Sequence, residues 1–167
     1  MSPVEHNVAD VRTMFEGYVD AWKTHRMPVP PRGLLVWAPG AMAEIGGHVI
    51  PVEPHDVADE PFFLQIEAEY YWAAIPDWRV TELDVAGSGD TVLSFAKFEG
   101  TGPDATVLEP IWLADRWHFD AAGRITRWQQ MTDLAAWARW SALTGIDYPA
   151  YIAQAFAEAG QPPRFVP

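Results

Sequence analysis

The hydrophobic pattern of this chain changes period near Trp78, and that change limits the folds open to it. In two long stretches before Trp78 the apolar residues recur every three or four positions, as in amphipathic helices, and from Trp78 to about 132 they alternate, as in strands with one buried face. Helices segregated from strands in this way predict an α+β fold. The chain has 167 residues, so we expect one domain over 1–167, with its core over about 8–140 and a helical extension over 141–167.

Two helices are expected before the change of period. Asn7 is the predicted N-cap of the first helix, which must end before the prolines at 28–31. Its inner stripe is Val8, Val11, Phe15, Tyr18 and Trp22. The second helix is predicted from about Pro61 to Ala74. Its inner stripe is Phe62, Phe63, Ile66, Tyr70 and Ala73.

The rest of the chain up to about 132 is expected to be mainly strands. A stretch rich in glycine and proline predicts one or two short ones near 42–45 and 48–52. Alternation predicts three or four more, from the segments 78–86, 91–99, 106–119 and 124–132. The turn signals GSGD and DAAG join neighbouring strands as hairpins. We therefore expect a curved antiparallel sheet wrapped around the long first helix, a cone that encloses one apolar cavity.

The C-terminal part is expected to be a helical tail, over 134–143 and 148–159. Asp133 precedes the first of these helices and is its predicted N-cap. Trp137 and Trp140 lie three residues apart on that helix. They are expected either to close the mouth of the cavity or to pack against a partner subunit.

Charge and composition exclude several classes of partner. The chain has 11 basic and 23 acidic residues and a net charge of −12, with no basic stripe, so nucleic acid is not an expected partner. No apolar run approaches the about 20 residues of a membrane span, and the N-terminus has no secretory pattern, so a cytoplasmic location without membrane contact is expected. Cysteine is absent and the five histidines show no ligand spacing, so neither a metal nor an organic cofactor is expected.

Several segments together resemble the SnoaL-like members of the nuclear-transport-factor-2-like (NTF2-like) superfamily. They are the long first helix, IPDW at 75–78, a hairpin strand pair, and ADRWHFDAAGRITRWQQMTD at 114–133. The resemblance covers about 8–140 and implies the cone-shaped fold. The superfamily includes polyketide cyclases, ketosteroid isomerases, limonene-epoxide hydrolases, dehydratases and non-catalytic binding modules, so the fold does not determine the activity. Its sheets commonly pair back to back, which implies a homodimer through the sheet.

Asp115 is the first candidate for chemistry. Alternation places it on a strand face with Leu113, Trp117 and Phe119, and a carboxyl in such surroundings has a raised pKa and can stay protonated. Asp115, Trp117 and Phe119 match the Asp-x-Phe-x-Phe strand of ketosteroid isomerases, and Tyr18 matches the position of their oxyanion-hole tyrosine. The resemblance implies that both donate to a developing oxyanion. The alternatives are an Asp115 paired with an arginine and a Tyr18 that only packs in the core.

The general base is harder to place. The closest stretch to the isomerase base, MAEIGGH, offers Glu44 and His48, neither in a clean match. The last strand resembles the I-T-x-W-x-Asp strand of limonene-epoxide hydrolases, but Gln130 replaces the aspartate and cannot take a proton. Lys97 and Glu99 match that family's Arg-x-Asp pair only after a register shift of one residue. The alternative for both is a solvated strand face.

Aromatic residues make up 13% of the chain, and many of them fall on predicted inner faces. The candidate substrate-binding residues are Phe15, Trp22, Phe63, Tyr70, Trp117 and Trp128. Either they form a dense core or they wall a cavity for a hydrophobic, ring-containing ligand.

The leading hypothesis is a cofactor-independent enzyme of the cyclase, isomerase or dehydratase type, which acts by acid/base proton transfer on such a ligand. One alternative is a non-catalytic protein that binds a small molecule in the same pocket. The other is water addition, as in epoxide hydrolysis, by Lys97 and Glu99.

Overall fold

The structure is a computed structural model that describes residues 1–45, 48–59 and 63–145, with only the backbone of His48 and Phe63. The helix predicted over 148–159 lies outside these residues. The elements are α1 (Pro3–Asp20), β1 (Trp37–Ile45), β2 (His48–Val52), α2 (Phe63–Ala74), β3 (Arg79–Ser88), β4 (Thr91–Glu99), β5 (Ile111–Phe119), β6 (Ile125–Thr132) and α3 (Leu134–Thr144). None of the described helices is long and apolar enough to cross a membrane.

Helix α1 begins earlier than its apolar stripe suggests. Ser2 is the N-cap, and a capping box links its backbone N–H to Glu5 Oε2 at 2.6 Å while Ser2 Oγ accepts from the Glu5 N–H at 3.4 Å. The prediction of a cap at Asn7 was wrong, because Asn7 is buried within the helix. The face that α1 turns to the core is formed by Val11, Met14, Phe15 and Tyr18.

The six strands form one open, mixed sheet in the order β2-β1-β6-β5-β4-β3. The prediction of an antiparallel sheet holds for every neighbouring pair except β1 and β6, which run parallel. Hairpin turns specify antiparallel neighbours only where two strands are adjacent in sequence. The pairing of β1 with β6 joins distant parts of the chain, so no turn signal predicts whether these two strands run parallel or antiparallel. The predicted α+β class is confirmed.

Alternation assigns the two faces of β5 correctly. The buried residues are Ile111, Leu113, Asp115, Trp117 and Phe119. On β6 the register shifts between the pairs Phe119–Ile125 and His118–Arg127, so that Thr126 is an extra residue on β6. This bulge turns both Ile125 and Trp128 inward although they lie three residues apart.

Helix α2 is rotated by about one residue from the predicted phase. Its buried face is Leu64, Ala68, Tyr71 and Trp72, followed by Ile75. Of the predicted stripe, Ala73 is exposed, Ile66 and Tyr70 are half-buried, and Phe62 lies outside the described residues. Apolar residues occur on both sides of this helix, so the hydrophobic pattern fits two rotations of the helix about its axis almost equally well. The rotation brings Glu67 to the inside.

Helix α3 packs its tryptophans within the same chain. Asp133 caps it as predicted, because Asp133 Oδ1 accepts from the backbone N–H groups of Ala135 at 2.9 Å and Ala136 at 3.0 Å. The Trp137 indole N–H donates to Thr132 Oγ1 and the Trp140 indole N–H to the Glu109 carbonyl. Both tryptophans are already buried within the single chain, which contradicts packing against a partner subunit, and neither lines the internal cavity described below.

The close packing of Gly100 against Ile75 leads to a prediction about stability. A Cβ added to Gly100 would lie 2.3 Å from Ile75 Cγ2 and 3.4 Å from Trp78 Cα. We therefore expect Gly100→Ala to lower the free energy of unfolding by about 1–3 kcal/mol through overpacking. Urea denaturation checks this, and a variant as stable as the parent protein would contradict it.

Candidate functional site

A cavity of about 70 Å³ lies between helices α1 and α2 and the inner face of the sheet. Its walls are mainly aromatic and aliphatic, among them Phe15, Leu64, Tyr71, Trp78, Trp117 and Trp128. Four polar side chains also face it: Tyr18, His55, Glu67 and Gln130. An apolar cavity with a few polar groups is typical of sites for small organic molecules.

Tyr18 and Glu67 form a hydrogen-bonded pair in this cavity. Tyr18 on α1 donates its hydroxyl to Glu67 Oε2 on α2 at 2.8 Å. Burial, followed by the neighbouring Glu67 carboxylate, raises the pKa of Tyr18 well above its ordinary value, so the phenol keeps its proton. The rings of Trp78 and Phe98 meet the Tyr18 ring edge to face, with centroids 5.4 Å and 6.0 Å away. The pair is thus held in one geometry by packing.

The helical spacing of α1 correctly predicts Tyr18 on the inner face, whereas the apolar stripe predicted for α2 leaves out Glu67. A signal for Glu67 is present, since it follows Leu64 by three residues and precedes Tyr71 by four, the spacing of one helical face. The predicted apolar stripe of α2 is rotated by one residue from the buried face, so it leaves Glu67 out. Whether the Glu67 carboxylate faces the cavity therefore depends on the rotation of α2 about its axis.

Asp115 is a buried carboxyl with three donors. Its Oδ1 accepts from the Trp128 indole N–H at 2.9 Å and its Oδ2 from Ser94 Oγ at 3.2 Å, and Gln130 donates a third hydrogen bond. Burial raises the pKa of Asp115 to about 7, and the charge of Glu67 acts in the same direction, although the three donors oppose the rise. Among the described residues no cation pairs with Asp115, in contrast to the alternative of an arginine partner.

Asp115 stands behind the cavity wall rather than in it. It is 2% exposed, and the side chains that reach the cavity surface are those of its partners Trp128 and Gln130. A third wall residue is attached through Ser94, because the Trp117 indole N–H donates to Ser94 Oγ at 3.0 Å. The rings of Trp117 and Trp128 stack, with centroids 5.1 Å apart. Asp115 therefore anchors one side of the cavity.

Lys97 and Glu99 lie on the opposite face of the sheet. Lys97 Nζ pairs with Glu82 Oε1 at 2.8 Å and Glu99 Oε1 at 3.0 Å, and it lies 5.7 Å from the centre of the Trp112 ring. Hydrogen bonds to these two carboxylates raise the pKa of Lys97. Because Gln130 faces the cavity, the sheet separates it from Lys97 and Glu99. This geometry contradicts a water-adding site built from the three.

Glu44 is also away from the cavity. It binds the Arg127 guanidinium and the Gln129 amide, and these hydrogen bonds, that of Gln129 first, lower its pKa. His48 begins β2, and its side chain is not described. The structure thus does not bring Glu44 to Tyr18 as a general base.

The predicted binding residues divide into two groups. Three of them line the cavity: Phe15, Trp117 and Trp128. Trp22 is half-buried outside it, with the Arg79 guanidinium 5.4 Å from its ring centre. Tyr70 lies on the half-buried side of α2 and does not contact the cavity, and for Phe63 only the backbone, at the start of α2, is described.

His55 is a further cavity residue that the sequence did not single out. Its ring stacks against Trp37 with centroids 6.0 Å apart, and its Nδ1 lies 2.8 Å from the Glu53 carbonyl oxygen. Within 1–45, 48–59 and 63–145, no three histidine, aspartate or glutamate side chains are grouped so that they could hold a metal ion.

Comparison with solved structures identifies the fold. A proposed SnoaL-like polyketide cyclase from Jannaschia sp. CCS1 has a TM-score of 0.50 and 16% identity over 88% of this chain and 98% of its own. IdmH, a proposed polyketide cyclase from Streptomyces antibioticus, has a TM-score of 0.50 and 18% identity over 82% of this chain and 99% of its own. No family model and no curated protein matches the sequence.

Proposed function

Starting from an NTF2-like fold of the SnoaL-like type, we propose that the protein is a cofactor-independent enzyme that moves protons on a hydrophobic, ring-containing small molecule. The Tyr18–Glu67 pair carries this proposal, because it places a carboxylate and a phenol together in an otherwise apolar cavity. Few waters compete there, so each polar contact with a substrate is stronger than in solution. The names of the two similar structures, both proposed polyketide cyclases, agree with a carbonyl-containing substrate.

In the proposed reaction Glu67 is the general base. Its carboxylate takes a proton from a carbon next to a carbonyl, the C–H electron pair forms the enolate double bond, and the carbonyl oxygen gains the negative charge. Once Glu67 is protonated, the Tyr18 hydroxyl no longer faces a carboxylate and can donate to that oxygen. The enolate then takes the proton back at another carbon, or attacks a second carbonyl to close a ring, whose new alkoxide is protonated by Glu67.

Asp115 has a positioning role in this proposal. It does not reach the cavity surface, so direct donation to a substrate, as the resemblance to ketosteroid isomerases implied, requires a path that this geometry lacks. Its hydrogen bonds to Trp128 and Gln130 fix two wall residues instead. The Gln130 amide is then oriented to bind a polar group of the substrate.

Proton exchange of a small ketone tests the proposal. 2-Indanone carries acidic hydrogens next to its carbonyl, and indane is the same ring system without the oxygen. We expect the protein to accelerate deuterium uptake by 2-indanone in D₂O, followed by proton NMR, and indane to inhibit it competitively. Binding of 2-indanone without any acceleration would leave the alternative, a non-catalytic binding protein.

We further propose that two copies of the chain associate through the outer face of the sheet. Phe95, Ala114 and Met131 are direct cross-strand neighbours there, Phe95 is 44% and Met131 62% exposed, and the Phe95 ring stacks on Trp112. A contiguous apolar row at the centre of a sheet is suited to bury itself against a second copy. We expect a particle of twice the 18.7 kDa chain mass in light scattering, and a monomer for Phe95→Asp. Val107→Asp, in the loop before β5, is the control that should remain dimeric; a monomeric parent protein would contradict the proposal.

A further inference from the structure

The permanent charge at the cavity is negative. Glu67 is a carboxylate in the wall, and Asp115 is a second carboxyl directly behind it. The lining residues that the structure describes include no lysine and no arginine, and His55 is the one side chain among them that can become positive. A ligand in the cavity therefore meets acidic groups without a permanent cation beside it.

The protein uses its basic side chains elsewhere. Those that form ion pairs within the described part of the chain all lie outside the cavity lining: Lys23, Arg32, Arg79, Lys97, Arg124, Arg127 and Arg139. Their carboxylate partners are exposed or half-buried. The chain thus pairs many of its outer carboxylates with lysine or arginine but lines the cavity with neither, as far as that lining is described.

The charge of the half-buried Glu67 acts across the cavity, because most of the wall is apolar. Tyr18 donates to Glu67 Oε2 at 2.8 Å but keeps its own proton, so it stabilises the carboxylate without neutralising it. Burial, and with it the charge of Glu67, raises the pKa of both Tyr18 on α1 and Asp115 on β5. A charge on a ligand placed among these groups interacts more strongly with Glu67 than it would in water.

An ammonium group on a hydrocarbon ring matches this cavity. It has the opposite charge, its N–H groups donate to a carboxylate, and aromatic side chains attract cations. Its removal from water costs free energy, which an ion pair with matched donors and acceptors offsets. A carboxylate on the same ring also loses its water and in addition meets a like charge, so its cost is not offset.

We propose that the cavity selects its ligand by charge: it binds a cyclic amine as the ammonium ion through Glu67 and excludes a carboxylate on the same ring. This inference rests on the proposed function only in that the cavity binds ring-containing small molecules. It adds cyclic amines to the ligands of the site, as inhibitors that occupy Glu67, and it removes cyclic acids from the substrates.

Four indane derivatives test the proposal by isothermal titration calorimetry of the whole chain at pH 8. 2-Aminoindane is protonated there, and 2-indanol has nearly the same size and a hydrogen-bond donor but no charge. Indane-2-carboxylate and indane-2-carboxamide form the second matched pair. We expect 2-aminoindane to bind about threefold or more tighter than 2-indanol, and the carboxylate about fivefold or more weaker than the carboxamide.

Glu67→Gln tests whether this carboxylate is the cause. Glutamine keeps the shape of the side chain and an acceptor oxygen but removes the charge. We expect the ratio of the Kd of 2-indanol to that of 2-aminoindane to fall by about threefold or more in this variant. Glu69→Gln makes the same change at an exposed position of α2 and should keep the ratio within about twofold.

A carboxylate bound as tightly as its carboxamide, an amine bound no more tightly than 2-indanol, or an unchanged ratio in Glu67→Gln would each overturn the inference. The first two outcomes need only the parent protein, so the test stays valid if Glu67→Gln does not fold. Deuterium exchange is measured separately. Charge selection without exchange would refute the proposed proton transfer alone, and exchange without charge selection would refute this inference alone.

Discussion

Glu67→Gln is expected to lower the rate constant for deuterium exchange of 2-indanone by about 100-fold or more, with KM changed by no more than about threefold. Glutamine has nearly the shape of glutamate and keeps an oxygen that can accept the Tyr18 hydroxyl, so the wall and its packing stay the same. It cannot take up a proton, so the step assigned to Glu67 is removed. NMR time courses at several ketone concentrations measure both constants.

Glu69 supplies the matched control for this variant. It lies two residues further along α2, is exposed, and has its carboxylate bound by Gln65 at 2.7 Å. Glu69→Gln makes the same chemical change outside the cavity and should keep the exchange rate within about twofold. Equal rates for Glu67→Gln and the parent protein would show that the base is another group.

The free energy of unfolding is expected to fall as the pH rises from 5 to 8, and Asp115→Asn is expected to remove most of this fall. The pKa of Asp115 rises from 3.8 to about 7 on folding, so the folded state binds a proton that the unfolded state releases at lower pH. Stability from this group is complete below about pH 4 and is lost as the pH rises through 7, because the buried carboxyl must then ionise. The loss between pH 5 and 8 is about 2 to 3 kcal/mol of unfolding free energy in the parent protein.

Urea denaturation of both proteins at pH 5 and pH 8 measures this effect. Asparagine cannot ionise and still offers an oxygen to the Trp128 indole. The unfolding free energy of Asp115→Asn should therefore fall between pH 5 and pH 8 by about 2 to 3 kcal/mol less than that of the parent protein. Asp10 is also buried and has a raised pKa, but it is present in both proteins and cancels in the difference. Asp84→Asn, at an exposed position on β3, should retain the parent slope. Parallel curves for the parent and Asp115→Asn would show that Asp115 ionises freely.

Local patterns in the sequence predict much of this fold and about half of the residues of its candidate site. The alternation of β5 correctly predicts that Asp115 shares an inner face with Trp117, and the helical spacing of α1 does the same for Tyr18. Both succeed because one face of each element is clearly more apolar than the other. Lys97 was ambiguous for the opposite reason, since Leu93 and Phe95 make the outer face of β4 apolar as well.

The remaining features depend on contacts between distant segments. The rotation of α2 follows from which of its two apolar sides fits against the sheet and α3, and this choice brings Glu67 inward. That Asp115 lies behind the wall depends on the indoles of Trp117 and Trp128 filling the space in front of it. No periodic pattern in the sequence predicts the rotation of α2 or the position of Asp115 behind the cavity wall.

The parallel pairing of β1 with β6 has a consequence for the order of folding. Strands β3 to β6 are consecutive and antiparallel, so they can assemble through short loop closures, whereas β1 must find β6 across about half of the chain. The β1–β2 hairpin should thus dock last and detach first, with amide hydrogens on β1 exchanging faster than those on β5. Because β1 contributes Trp37 to the cavity wall, detachment of this hairpin would open one side of the cavity while β3 to β6 stay paired.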